Sequence, residues 1–319
     1  MTNIACVTMM KDEDFFLPIW FRYYSRLFGA ENLFILDHCS AQHPAGMLPG
    51  EPGAERLNVF RIPALDSLSK ARSGGRFDAK RFELISNMLN GLLAFYDVVI
   101  FNDADEIYVP DPARYRDLRA YVEARAADNR VTAGLGLEMF HDIGSEADFD
   151  PARPVFAQRR NFFCSLLYTK PHVLGTGSRI WPHAADRPFV FDPDLYLVHM
   201  KFIDGNRFLS RQEERRAFRT SVARNTGKLW LWDGDRAMGE LKKYNEMPVD
   251  LEPFSGRSVM QRLFGAEAAV RIGGLKGPER VREKKLDRYR VIDFVPPALD
   301  RQLASERRVI PDRFVETGI

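Results

Sequence analysis

The chain has 319 residues, of which 45% are hydrophobic and 28% charged, so it has enough apolar residues for a sizeable core, which argues against wholesale disorder. Its 46 basic and 44 acidic side chains leave a net charge of +2, which argues against a dedicated nucleic-acid binder. Three widely spaced cysteines indicate neither a zinc site nor a disulfide framework. The thiols, the absence of a signal-peptide pattern and the absence of an apolar run of about 18 residues together predict a cytoplasmic protein.

The first hundred residues alternate strand and helix patterns. Apolar runs predict strands over residues 4–10, 32–36, 57–62 and 97–102. Helical spacing predicts helices over residues 14–28 and 77–96, the second with Leu84, Met88, Leu92 and Phe95 on one face. This alternation predicts an α/β fold with a doubly wound, mostly parallel sheet flanked by helices, whose ligands bind at the carboxyl ends of its strands.

The second part of the chain is less regular. The patterns predict a helix over residues 115–127 and strands over 131–140, 161–168 and 195–202. An Arg-rich helix over 208–224 then begins a helical and irregular C-terminal extension, so we predict a first domain over 1–206 and the extension over 207–319. Four arginines of that helix follow helical spacing, which is compatible either with anionic lipid at a membrane surface or with a solvated face. They are Arg211, Arg215, Arg216 and Arg219.

An acidic cluster, Asp103-Ala104-Asp105-Glu106, follows the most apolar of the predicted strands. Carboxylates at positions i and i+2 face one ligand when the residue between them turns away, and the small Ala104 makes that turn easy. Mg²⁺ and Mn²⁺ favour oxygen ligands and commonly combine one or two protein carboxylates with phosphate oxygens. Position and chemistry therefore both favour a site for a metal and a diphosphate over a plain acidic loop.

The same motif has a second enzymatic interpretation. A strand followed by Asp-x-Asp is also typical of phosphohydrolases that form an aspartyl-phosphate, in which Asp103 would be the nucleophile. Those enzymes normally carry the motif near the N-terminus, with a small hydroxyl residue at the position that Ile107 occupies here. The later Asp233-Gly234-Asp235 follows no predicted strand and has the pattern of a turn. The phosphohydrolase is therefore the weaker alternative.

Three segments of the chain resemble family-2-like GT-A glycosyltransferases. The first of them, made up of residues 10–13, 17–24 and 27–40, is similar to the opening of that family, with its Lys-Asn-Glu turn, a Trp, a Gly and Asp-Asn-x-Ser after the second strand. Residues 101–107 resemble its Asp-x-Asp-Glu-Phe motif, and residues 197–202 resemble its Leu-x-His-x-Lys-Tyr strand. The chain departs from the pattern at three positions, which are Asp12, Tyr24 and His38.

The resemblance implies roles for five residues. Glu13 and Asp37 would lie around the nucleoside, with Asp37 placed to contact the base or the ribose. Asp103 would approach the ribose or the metal, Asp105 would ligate the metal, and His199 would complete the metal or diphosphate site. Asp37 also suits a turn-capping role at the end of a strand, and the two roles are compatible. His199 has the alternative of a core histidine, although neutral imidazole is a reasonable ligand for Mn²⁺.

A general base near the acceptor hydroxyl is required if the transferase inverts the configuration of the sugar. Residues 137–142 lie at the end of the strand predicted over 131–140 and offer Glu138, His141 and Asp142. We take Asp142 as the first candidate and Glu138 as the second, against the alternative of ordinary loop charges.

Two further pairs of residues are candidates for substrate contacts. Lys80 and Arg81 follow a Gly-containing segment and could reach the diphosphate, or they could be solvated charges at the start of a helix. Trp181 and His183 lie in a Gly- and Pro-rich connection and could line the acceptor side, or they could anchor the packing of that loop.

The sequence as a whole predicts a glycosyltransferase assisted by Mn²⁺ or Mg²⁺. It would move a sugar from a nucleotide-diphosphate sugar to a carbohydrate or lipid-linked saccharide acceptor, without a nucleic-acid partner. A lipid-linked acceptor is compatible with peripheral contact at the inner face of the membrane. The alternative from a different class is a non-catalytic module that binds nucleotides or sugars with the same fold.

Overall fold

A computed structural model of the chain describes residues 2–63, 77–125, 130–222, 232–273 and 288–319. The strands are β1 Ile4–Met10, β2 Leu33–Asp37, β3 Asn58–Arg61, β4 Val98–Phe101, β5 Glu106–Pro110, β6 Val131–Phe140, β7 Asn161–Ser165, β8 Val173–Leu174, β9 Ile180–Trp181, β10 Ala184–Ala185, β11 Phe189–Phe202, β12 Val270–Ile272 and β13 Arg308–Val309. The α-helices are α1 Phe16–Phe28, α2 Phe77–Leu92, α3 Leu118–Arg125, α4 Gly205–Val222, α5 Gly234–Asn245, α6 Gly256–Phe264, α7 Pro297–Leu303 and α8 Asp312–Val315.

The strands form one large mixed sheet with helices packed against it. The main path through the sheet runs in the order β12-β11-β6-β8-β4-β1-β2-β3, and β9 and β10 form a separate hairpin. The pairs β1–β2, β1–β4, β2–β3 and β6–β11 are parallel, while β5, β7, β8 and β12 pair antiparallel with their neighbours. Every residue of β1, β4 and β6 is buried, as expected of central strands covered on both faces.

Helix α1 follows β1 and packs a broad aromatic face against the sheet. Trp20 and Tyr24 are completely buried on this face, one helical turn apart. Gly29 ends the helix at φ +86°, a left-handed backbone conformation that favours glycine, and its N–H donates to the carbonyl of Ser25. The chain then enters β2 parallel to β1, so that the carboxyl ends of β1, β2 and β4 lie at one edge of the sheet.

The α/β class and the sheet flanked by helices are confirmed. The strand predicted over residues 131–140 matches β6, and most of the other predicted elements agree with the structure to within about three residues at each end. The strand predicted from residue 195 begins earlier, at Phe189, because the chain continues along β6 through an irregularity after Asp192. Beyond residue 206 the described residues lie mostly in helices and loops, and they also add β12 and β13 to the sheet.

Two expectations about local structure were wrong. Helix α2 buries Phe82, Ile85 and Leu89, whereas Leu84 is exposed and Phe95 lies beyond the end of the helix with 81% of its surface exposed. Both sets of residues have helical spacing, and Phe82, Ile85 and Leu89 form the set that packs into the core. Strand β5 was not predicted, because its first residue, Glu106, was read as part of the acidic cluster.

All three cysteines are free thiols, and Cys6 and Cys164 are buried. No helix within the described ranges is long and apolar enough to cross a membrane. The boundary predicted after residue 206 stays a prediction.

Candidate metal centre

Three neighbouring strands bring Glu106, His199 and Glu138 into one row. Strand β11 lies between β5 and β6, with His199 paired to Glu106 on one side and to Glu138 on the other. Directly paired residues of adjacent strands project to the same face of a sheet, so their side chains meet. The turn from β4 to β5 is tied to the same strand by the N–H of Met200, which donates to the carbonyl of Asp105 at 2.8 Å.

The imidazole of His199 is held on three sides. Its Nδ1 lies 2.9 Å from both carboxylate oxygens of Glu138, and its Nε2 lies 3.4 Å from a carboxylate oxygen of Asp105. The ring of Tyr168 stacks on it at a centroid distance of 4.1 Å. Burial opposes a positive charge on His199, but the carboxylates of Glu138 and Asp105 outweigh this effect and raise its pKa to about 10. The surroundings of this ring therefore favour positive charge.

Asp105, Glu106 and His199 form a group that suits a divalent cation. Each of them offers one ligand atom, and these atoms all lie within 4.8 Å of one another. Two carboxylates and one imidazole match the preferences of Mn²⁺, and the carboxylates also match those of Mg²⁺. Asp105 is partly exposed whereas Glu106 and His199 are buried, so a cation held here would be open to a ligand on the side of Asp105.

Asp103 lies beside this group and is bound by two basic residues. Its carboxylate accepts from Arg81 of α2 and from the ammonium group of Lys170, the latter at 3.1 Å, and Lys170 also contacts Glu106. Burial would raise the pKa of Asp103, but Lys170 and Arg81 hold it well below its usual range. For Glu106 burial prevails over Lys170, and its pKa is raised. Lys170 thus holds together the two ends of the acidic cluster.

Helix α1 fixes the start of the acidic turn through a buried amide. The side chain of Asn102 accepts from the indole N–H of Trp20 at 3.3 Å, and it donates to the hydroxyl of Tyr24 at 3.1 Å and to the carbonyl of Glu106. The hydroxyl of Tyr24 also accepts from the N–H of Tyr108 in β5 at 2.9 Å. Tyr24, one of the departures from the family pattern, therefore ties both ends of the turn to the helix.

Asp37 ends β2 at the same edge of the sheet. One of its carboxylate oxygens accepts from the N–H of Ser40 at 2.8 Å, which is the predicted turn-capping role. Within the described part of the chain the other oxygen is buried and accepts no hydrogen bond, although Arg61 of β3 lies 3.8 Å away. A buried carboxylate oxygen without a donor is costly, and a ligand N–H or O–H would satisfy it.

Glu13 is also buried, but its carboxylate already has partners. It accepts from the N–H of Phe16 at the start of α1 and forms ion pairs with Arg207 and Arg211 of α4, the latter at 2.6 Å. Arg211 was one of the arginines considered for contact with anionic lipid, but in the structure its side chain points towards Glu13. Arg216 is exposed, and the side chains of Arg215 and Arg219 lie outside the described residues.

Two residues of the site were missed by the sequence analysis. Lys170 and Tyr168 lie in the connection between β7 and β8, and both are in contact with the acidic cluster or with His199. The isolated Lys170 within an apolar stretch is the only signal that the sequence offered. His183 lies edge-on to Tyr168 at 5.2 Å, so the hairpin that carries Trp181 and His183 borders the site.

Comparisons with known proteins place the fold in context. No protein-family model and no curated protein matches the chain. Residues 1–349 of S. aureus TarS, in complex with UDP-GlcNAc, share 10% identity at a TM-score of 0.30, over 76% of this chain and 72% of that one. A putative glucose-1-phosphate thymidylyltransferase from Bacillus anthracis, in complex with a sucrose, shares 12% identity at a TM-score of 0.26. The match covers 44% of this chain and 56% of that one.

A third solved structure is core-mannan synthase A from Aspergillus fumigatus in its Mn/GDP form. It shares 9% identity at a TM-score of 0.23, over 44% of each chain. This chain thus spans about half the length of the thymidylyltransferase and of the mannan synthase. With TM-scores below 0.5, these likenesses carry no argument about the activity of the chain.

The remaining sequence candidates lie in defined surroundings. Asp142 forms an ion pair with Arg307 at 3.0 Å and accepts from the N–H of Gly144 in its own turn. Glu138 is 2% exposed and faces His199. Lys80 forms an exposed ion pair with Glu83 on α2, one residue before the arginine that reaches Asp103. The roles predicted for these residues stay predictions.

Proposed function

We propose that this chain is a metal-dependent glycosyltransferase that uses a nucleotide-diphosphate sugar as donor and a carbohydrate or lipid-linked saccharide as acceptor. The observation that carries the proposal is the convergence of ligand atoms from Asp105, Glu106 and His199 within 4.8 Å. This group lies at the carboxyl end of β4, at the same edge of the sheet as the buried carboxylate of Asp37. In α/β sheets this edge is where ligands bind.

Each part of the site has a place in the proposed reaction. Asp105, Glu106 and His199 would hold Mn²⁺ or Mg²⁺, and Asp103 would approach the ribose or the metal. A bound divalent ion neutralises the charge that develops on a diphosphate leaving group. Asp37 would accept a hydrogen bond from the nucleoside through its unsatisfied oxygen, which would relieve the cost of burying that oxygen.

The acceptor side of the proposed reaction requires a general base. Asp142 is our first candidate for the general base, and it would have to act from within its ion pair with Arg307.

Glu13 would contribute to the nucleoside side, together with the arginines that pair with it. Lys80 would reach the diphosphate only by leaving Glu83. We place the catalytic domain at 1–206 and propose peripheral membrane contact for a lipid-linked acceptor.

A ligand-dependent unfolding assay tests the metal and the donor together. Wild-type chain and Asp105→Asn are screened by thermal shift against nucleotide-diphosphate sugars, with Mn²⁺ and with EDTA. A ligand at about 100 times its Kd stabilises the protein by about 2.7 kcal/mol, which gives a clear rise in Tm. We expect one donor to stabilise the wild type only when metal is present, and to have no effect on Asp105→Asn.

Asp97→Asn is the matched control for this experiment. Asp97 is exposed at the amino end of the strand whose carboxyl end carries Asp105, and it accepts from the N–H of Asn3. This variant should keep the full metal-dependent shift. Equal stabilisation of the wild type and Asp105→Asn would remove Asp105 as a metal ligand.

Product analysis separates the alternative functions. Metal-dependent release of nucleoside diphosphate from the donor excludes a non-catalytic binding module. Release of phosphate from a simple monoester, with Asp103 essential, would support the phosphohydrolase and contradict the transferase.

A further inference from the structure

We propose that Glu138 is a positioning residue that orients His199 for metal binding, rather than the general base of the reaction. This inference rests on the proposed function, because it requires that His199 ligates a divalent ion. In this role Glu138 would raise the metal affinity of the site through its contact with His199, without touching the metal itself. The role depends on how β5, β6 and β11 pair.

A hydrogen bond joins the side chains of Glu138 and His199. The Nδ1 of His199 lies 2.9 Å from each carboxylate oxygen of Glu138. An ionised carboxylate can only accept, so Nδ1 carries the proton and donates it. In the neutral imidazole this leaves the lone pair on Nε2, which is the nitrogen that faces Asp105 at 3.4 Å.

Glu138 points towards the Nδ1 edge of the His199 ring. The two nitrogens of an imidazole lie on different edges of the ring, so Glu138 and Asp105 approach His199 from different edges. Glu138 is 2% exposed, and Tyr168 covers one face of the ring between them. A general base must reach an acceptor hydroxyl directly or through one water. Glu138 is buried behind His199 and faces its Nδ1 instead.

A carboxylate at this buried position has an energetic cost. Among the described residues, both hydrogen-bonding contacts of the Glu138 carboxylate are with His199. A buried carboxylate with a single partner is costly, and a buried ion pair is seldom better for stability than apolar residues of the same size. Carboxylates that accept from the second nitrogen of a metal-ligating histidine fix its tautomer and ring orientation and make it a better ligand.

The register of the strands enforces this arrangement. His199 and Glu138 are direct partners across the parallel pair β6–β11, and Glu106 is the partner of His199 across β5–β11. The row is therefore Glu138, His199 and Glu106, with the positioning residue on one flank of the histidine and a candidate ligand on the other. The fold thus presets the order of the three side chains before any ligand binds.

The test measures Mn²⁺ affinity of the full chain by the loss of the electron paramagnetic resonance signal of free Mn²⁺. Two variants remove different parts of the contact. Glu138→Leu removes the acceptor, and Glu138→Gln removes the charge but keeps an amide oxygen that can accept from Nδ1. Loss of such a partner typically weakens metal binding about 10–100-fold, which we expect for Glu138→Leu, with partial rescue in Glu138→Gln.

Asp192→Asn is the matched control, since Asp192 is a buried carboxylate on the same strand as His199. It accepts from the hydroxyl of Tyr121 at 3.0 Å and pairs with Arg125, at the other end of β11. This variant changes a buried carboxylate to an amide and should lower Tm, but it should leave the Kd for Mn²⁺ within about twofold of the wild type, because metal affinity follows groups in contact with the ligands.

The outcomes separate this inference from the proposed function. If the wild type binds Mn²⁺ and both Glu138 variants bind it equally well, the positioning role is overturned while the metal site stands. If the wild type and His199→Asn both fail to bind Mn²⁺, the metal site and the positioning role are overturned together. Circular dichroism shows which variants fold, and if Glu138→Leu does not fold, the affinity of Glu138→Gln relative to Asp192→Asn decides the question.

Discussion

Replacing Lys170 by methionine tests how the acidic cluster is held together. The side chain of Lys170 is 3% exposed, and its ammonium lies 3.1 Å from a carboxylate oxygen of Asp103 and also contacts Glu106. At an effective dielectric constant of about 20, a pair of charges at that distance attracts by about 5 kcal/mol. Methionine keeps much of the length of the lysine side chain but leaves the carboxylates of Asp103 and Glu106 without this cation.

Removing one partner of a buried ion pair costs about 3–5 kcal/mol in the free energy of unfolding. We expect a loss near the lower end of that range, because Asp103 keeps its contact with Arg81. Urea unfolding of the wild type and Lys170→Met in EDTA measures the difference. Lys80→Met is the control, because Lys80 pairs with Glu83 at the surface, where ion pairs contribute little.

If Lys170→Met lowers the free energy of unfolding by less than about 1 kcal/mol, or by no more than Lys80→Met does, Lys170 does not hold the acidic cluster together. Such a result would mean that the buried charges are solvated or neutralised by other groups. The acidic cluster would then need a different account of how it is kept in place.

Two further predictions concern residues at other positions. Gly136→Ala should destabilise the fold by about 1–3 kcal/mol in urea unfolding, because its new methyl group would overlap the carbonyl oxygen of Ser165, while Gly91→Ala, in a helix with open space around it, should stabilise by about 0.5–1 kcal/mol. A loss of stability in both would contradict this. Burial raises the pKa of Asp111, but hydrogen bonds from Arg313 and others lower it by more, so the pKa lies below its usual value. The ionised carboxylate therefore stabilises the fold, and Asp111→Asn should lower Tm at pH 7. That deficit should shrink as the pH falls below about 3.9, because the protonated carboxyl of the wild type no longer contributes, and an unchanged deficit would refute it.

Much of the fold could be predicted because its central strands are short, continuous apolar runs. β1 and β4 are buried on both faces, and such strands are recognisable from composition alone. β5 was missed because its pairing with β11 depends on a chain segment almost 90 residues away. The face of α2 was wrong because two sets of apolar residues have helical spacing, and only the packed sheet decides between them.

In the candidate site, too, residues of local motifs were predicted, whereas residues whose contacts depend on distant parts of the chain were not. Asp105 and His199 were found because each belongs to a short local motif, and the structure brings their side chains to 3.4 Å. Lys170 belongs to no motif, and its contact with Asp103 depends on how the connection between β7 and β8 folds back. Glu138 was found but was considered as a base, since its partnership with His199 requires the register of two strands.

Charge balance indicates which side of the acidic cluster has room for a divalent ion. Asp103 and Glu106 share Lys170, and Asp103 also contacts Arg81, so this side already carries two permanent positive charges. On the other side, Asp105 and Glu138 flank the imidazole of His199, which can give up its proton.

A divalent ion bound at His199 would take the place of a proton, whereas an ion bound at Asp103 would displace Lys170 from a buried ion pair, which is costly. The metal is therefore expected between Asp105 and His199, with Glu106 at its edge. Asp103, which the sequence offered both as a ligand and as a contact for the ribose, is better suited to the second role, because Lys170 and Arg81 already bind its carboxylate.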